Sequence, residues 1–148
     1  QKSLPPDHPD LATTYNNIGV VYSDMGRYEE SLSNHEKALE IQQKSLPPDH
    51  PDLATTYNNI GSVYLQMGRY SESLSNYEKA LEIQQKSLPP DHPDLATTNS
   101  SIAMAHAGMQ RYTEKIALEA VTEKSAEIEK IEDKSRKSGI WFCNCCIQ

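Results

Sequence analysis

The repeated part of this 148-residue chain has no tryptophan and no phenylalanine; the single copy of each lies in the last nine residues. A core must therefore be built from tyrosine and aliphatic side chains, which bury less area per unit than an aromatic-rich core would. Cysteine is confined to Cys143, Cys145 and Cys146. The body has nothing from which to make a disulfide framework, and a reducing, cytoplasmic setting is expected. Basic charge is short, with 14 Lys and Arg against 21 Asp and Glu and a net charge of −7. Such a surface repels phosphate backbones, so no nucleic-acid partner is expected. With 36% hydrophobic and 24% charged residues, a transmembrane bundle is excluded. The chain opens on Gln1 rather than methionine, so it is expected to be part of a longer product, whose N-terminal targeting is out of view.

What is present is repetition. Residues 1–42 and 43–84 align without gaps and differ at five positions, and a third copy keeps QKSLPPDHPDLATT over 85–98 before diverging. All nine prolines fall in three PPDHP segments, which mark the loops. Between them Leu11, Tyr15, Ile18, Tyr22 and Met25 recur at helical spacing, giving a helix A that opens at Pro9 and Asp10, with Asp7 or His8 as cap, and stops at Gly26. A second stripe, Tyr28, Leu32, His35 and Leu39 with Ala38, gives helix B. No stretch alternates with period two. The expected fold is all-α, an α-solenoid of stacked antiparallel helix pairs in which neighbours cover each other's apolar stripes. Its expected parts are repeat 1 (1–42), repeat 2 (43–84), a divergent repeat 3 (85–126), an extension of the capping helix (127–137) and an unstructured Cys-rich tail (138–148).

The pattern Tyr57-x2-Ile60-Gly61-x2-Tyr64, then Gly68, Ser73-x3-Tyr77 and Ala80, resembles the tetratricopeptide repeat, and copy one matches it through Tyr15, Ile18, Gly19, Tyr22, Gly26 and Ala38. The 42-residue period, HPD at the start of helix A, the Asn-Asn pair and the ALEI ending are similar to the kinesin light chain type. That resemblance implies a concave groove lined by helix A that takes a peptide or helix of a protein partner.

A rotation of about 100° per residue puts Asn16, Val20, Ser23 and Asp24 away from the expected core stripe. Their equivalents are Asn58, Ser62, Leu65 and Gln66, with Ser100 and Met104 in copy three. These ten residues are the expected peptide-binding set. Three of the five differences between the first two copies, at 20/62, 23/65 and 24/66, fall there, as on a surface tuned for binding; drift of exposed positions is the plainer alternative. The resemblance also implies a backbone-binding role for Asn16 and Asn58. The Lys and Asn of a carboxylate clamp are missing. Light chains of this type favour acidic peptides, but net charges of −4 and −2 on the first two copies argue against an acidic ligand here.

Nothing in the sequence assembles a catalytic constellation, and no enzyme activity, cofactor or metal is expected. His8, His50 and His92 sit a full repeat apart, too far for a shared metal, and read as caps; His35 reads as a packed core imidazole. In copy three Gln110 replaces the turn glycine and His106 a tyrosine, so helix A is expected to pack loosely, with residues 113–137 as a polar terminal cap.

Cys145-Cys146-Ile147-Gln148 resembles a CaaX prenylation box, with Cys143 as a palmitoyl site and Lys130, Lys134, Arg136 and Lys137 as a basic supplement. The alternatives are a misread gene end and a metal site, the latter lacking a fourth ligand. The leading function is a non-catalytic protein-interaction scaffold. The other readings are a regulatory repeat segment of a larger enzyme and a membrane-tethered adaptor, with membrane contact only if the tail is lipidated.

Overall fold

Each helix A is started by a histidine. Nδ1 of His8, His50 and His92 accepts the N–H of Asp10, Asp52 and Asp94, each at 3.2 Å. The intervening proline has no N–H to leave unpaired, and the aspartate complements the positive end of the helix dipole. In the computed structural model, which describes residues 8–137, α1 spans Pro9–Asp24, α2 Tyr28–Ser45, α3 Pro51–Gln66, α4 Tyr70–Ser87 and α5 Pro93–Lys137. Among the described residues there is no strand, and no helix is long and apolar enough to cross a membrane. The lipidation sites expected at Cys143 and Cys145 lie outside the described residues.

A glycine closes each helix A. Gly26 and Gly68 have φ of 71° and 72°. In the first turn the Arg27 N–H donates to Tyr22 O at 2.8 Å and the Gly26 N–H to Ser23 O at 2.9 Å, and the same pair of bonds recurs at Arg69 and Gly68. This double bond pattern needs a left-handed residue, which glycine adopts without penalty. Arg27 then lies 4.6 Å over the Tyr22 ring and pairs with Glu30 at 2.6 Å, which fixes the entry of α2.

The third copy departs from expectation here. Gln110 occupies the turn position, no non-glycine residue among those described takes a positive φ, and α5 runs 45 residues without a break. The second helix expected for a repeat over 85–126 is instead the continuation of the first. The chain divides into two units, Gln1–Met109 and Gln110–Gln148. In the second, every residue from 110 to 134 is exposed, including Ile116, Leu118, Val121, Ile128 and Ile131, and the polar terminal cap expected over 113–137 is helical throughout.

Within the first unit, α1 pairs with α2 and α3 with α4, and α2 packs on α3. Helices of a pair meet across small residues: Ala38 and Ala80 are fully buried, and the Ser31 and Ser73 hydroxyls donate to the carbonyls of Gly19 and Gly61 at 2.7 and 2.8 Å. Successive pairs meet across larger ones, with Leu32 of α2 packed on Ile60 and Val63 of α3. Helix A thus has two contact faces, and the expected single stripe is corrected accordingly. In α1 the buried residues are Ala12, Asn16 and Gly19, while Ile18 is 38% and Met25 62% exposed. Ile18 and Val21 lie on the face that α2 covers in α3, and among the described residues no helix covers it in α1.

Candidate functional site

The exposed line along helix A follows from the same two contacts. At about 100° per residue, the direction turned away from helix B and from the adjoining helix A is that of Thr13, Asn17, Val20 and Asp24 in α1; the equivalent line in α3 is Thr55, Asn59, Ser62 and Gln66, of which Ser62 reaches Tyr77 and Gln66 reaches Ser23. The four in α1 are exposed; in α3, Thr55 and Gln66 are exposed and Asn59 and Ser62 half-buried. Thr97, Ser101 and Met104 continue the line in α5. Two hollows open along it, one repeat apart. The first, about 180 Å³, is lined by Asn16, Asn17, Gln42, Asp52 and Asn59 among others; the second, about 190 Å³, by Asn58, Asn59, Gln84, Asp94 and Thr97.

Asn16 is a correction. It is buried rather than displayed, because a polar chain runs beneath the surface from one repeat to the next. Its Oδ1 lies 2.9 Å from His35 Nδ1, its Nδ2 donates to Thr56 Oγ1 at 2.7 Å, and that hydroxyl donates to Gln42 Oε1 at 2.7 Å. The acceptor at Asn16 Oδ1 makes His35 the donor, with the proton on Nδ1. Burial lowers the His35 pKa to about 4, so the ring is neutral.

In the second copy Tyr77 stands where His35 stood. Burial raises its pKa, against hydrogen bonding with Ser62, Ser101 and Ser73. The hydroxyl is thus engaged with serines, and Asn58, half-buried, donates to Thr98 Oγ1 at 2.9 Å. Two of the five differences between copies are therefore coupled: tyrosine at 77 comes with serine at 62, and histidine at 35 with valine at 20. The other two on this flank also have packing partners. Leu65, expected on the groove, is half-buried against Leu74, Tyr77 and Ala105, and Gln66 accepts from Ser23 Oγ at 3.3 Å. Ser62 and Leu65 thus join neighbouring helices where Val20 does not, and Ser23 pairs with Gln66, so packing accounts for this variation without a ligand.

Of the ten expected residues, Val20, Asp24, Gln66, Ser100 and Met104 are exposed, Ser23, Ser62, Leu65 and Asn58 half-buried, and Asn16 buried. Reasoning from sequence missed Thr13, Asn17, Thr55, Asn59 and Thr97. The signal available was the Asn-Asn pair itself: with its first asparagine turned toward the next repeat, the second is the one turned outward.

A sequence model of the tetratricopeptide repeat matches residues 10–86 and 52–114. No curated protein matches the sequence. Among solved structures, the nearly identical TPR-like repeats of a kinesin light chain homologue from Podosopora anserina superpose with a TM-score of 0.66 at 24% identity, over 84% of this chain and 60% of that one. A point variant of the same repeats gives 0.62 at 25% identity, over 87% and 61%. BtubC (BKLC) from P. vanneervenii gives 0.67 at 19%, over 97% and 54%. The chain therefore spans between half and two thirds of the length of these structures.

Proposed function

Because the chain belongs to the tetratricopeptide repeat family, we propose that it is a non-catalytic scaffold whose helix-A face binds an extended or helical segment of a partner protein. The observation that carries this reading is the line of hydroxyl and amide side chains, exposed Thr13 and Asn17 on α1 with exposed Thr55 and half-buried Asn59 on α3, flanking two hollows a single repeat apart. Amides offer both donors and an acceptor, so they bind backbone whatever its sequence, and repetition lets one segment meet the same groups twice. The hollows are lined by Asp52 and Asp94 and by no Lys or Arg, which favours a neutral or basic segment. His8, His50 and His92 serve as caps and His35 as a core donor. The test is selection of random 12-residue peptides displayed on phage against the full chain. Selected peptides should lose at least about tenfold in affinity when Asn17 and Asn59 are both changed to Arg. Unchanged affinity in that variant would place the binding surface elsewhere.

A further inference from the structure

The two hollows are built from matching residues, yet their hydrogen-bond accounts differ. In the first, Asn16 Oδ1 is paired with His35 Nδ1 and Gln42 Oε1 with the Thr56 hydroxyl. In the second, Asn58 Oδ1 and Gln84 Oε1 are buried with no partner. Gln84 is 4% exposed and lines the hollow. Asn58 Oδ1 is unpaired because of Tyr77, whose ring offers no nitrogen to it and whose hydroxyl is engaged with serines; Gln84 Oε1 lacks the threonine hydroxyl bond that Gln42 Oε1 accepts.

Most of the remaining lining leans the same way, Asn59 excepted, whose amide carries donors of its own. The Thr55 and Thr97 hydroxyls donate backward to the carbonyls of Pro51 and Pro93, and Asn58 Nδ2 is spent on Thr98. The Asp94 carboxylate adds a negative charge to the lining. Two buried acceptors without donors and a carboxylate, with no Lys or Arg in the lining, ask for a group rich in N–H and positively charged. An ammonium has three donors and a charge, so a single group can serve both acceptors and the carboxylate.

We propose that the hollow between Asn58, Gln84 and Asp94 is a cation subsite that takes the ammonium or guanidinium group of a lysine or arginine side chain carried by the partner segment. The proposal rests on the helix-A face being the partner's binding surface, and it adds that one basic residue is read at the junction of the second and third copies and not at the first.

The test has two arms, both on the full chain. In the first, the side-chain amide resonances of Asn58 and Gln84 are followed by NMR during titration with n-propylammonium chloride, with sodium chloride at equal ionic strength as control. Saturable shifts with propylammonium alone are expected. Tyr77→His, which supplies Asn58 with the donor that Asn16 has, should weaken them at least fivefold, and His35→Tyr should create a response at Asn16, with Gln42 still held by Thr56. Shifts no larger than those with sodium chloride would mean that the hollow holds only water, and would overturn the subsite whatever peptides do. In the second arm, library-selected peptides are compared with forms in which each Lys or Arg is replaced by norleucine. One replacement should cost at least tenfold in affinity to the wild type and little to Tyr77→His. Equal affinity of all forms would overturn the assignment of a partner side chain to the hollow. Propylammonium binding without any selectable peptide would leave the subsite standing and remove the helix-A reading instead.

Discussion

Gly19 lies so close to His35 that a methyl group on residue 19 would sit 2.6 Å from the imidazole Cε1; Gly61 stands in the same relation to Tyr77, at 2.9 Å. Both rings are buried, so neither has room to retreat. Alanine normally improves a helix by about 1 kcal/mol over glycine. Here overpacking outweighs that gain, and Gly19→Ala should lower stability by about 1 to 3 kcal/mol, Gly61→Ala somewhat less. Urea unfolding midpoints check both.

The turn glycines make a contrasting case, since nothing lies within 4 Å of a side chain added at Gly68 and only its φ of 72° matters. Gly68→Gln, which copies the residue at 110, should cost about 1 to 2 kcal/mol through backbone strain. It should also raise the helical content around residues 67–70 as α3 and α4 tend to join. Hydrogen exchange of the Arg69 and Tyr70 amides reads this directly.

His35 makes stability depend on pH. Its pKa is about 4 in the folded chain and near the usual 6.5 when unfolded, so between these values the unfolded state binds the extra proton. Stability is therefore complete above pH 6.5 and falls as pH drops toward 4, by up to about 3 kcal/mol. In His35→Tyr this component should vanish. Unfolding free energies of the two proteins at pH 7 and pH 5 should differ in their change with pH, wild type losing more.

Val21 and Val63 occupy the same place in two nearly identical helices, yet are 57% and 1% exposed. Val63→Ala should cost about 2 kcal/mol by removing a contact with Leu32 and leaving a cavity, and Val21→Ala less than about 0.5. Similar losses, measured by chemical denaturation, would mean that the α1 face is covered.

Much of this was legible in the sequence. The 42-residue period, the prolines and the glycines at 26 and 68 specify helix pairs because each acts locally, through φ or a missing N–H. Asn16 was misplaced because an apolar stripe counts only apolar partners, and its own partners, His35 and Thr56, are 19 and 40 residues away. Leu65 and Ser62 looked like surface variation for the same reason: their partners are set by how repeats stack. Gln110 was visible as the loss of a turn glycine, but whether a helix then breaks or continues depends on what the following residues can bury, and those from 110 to 134 bury nothing.

The central claim is that partner segments lie along the Thr13, Asn17, Val20, Asp24 and Thr55, Asn59, Ser62, Gln66 lines. It is tested most directly by mapping the NMR footprint of a library-selected peptide on the labelled chain. The account predicts that amide and side-chain shifts concentrate on those two lines and on Thr97 and Met104, leaving the exposed Ser33, Glu36, Ser75 and Glu78 of α2 and α4 unmoved. A footprint on α2 and α4, or on the α1 face of Ile18 and Val21, with the helix-A lines unperturbed, would contradict it.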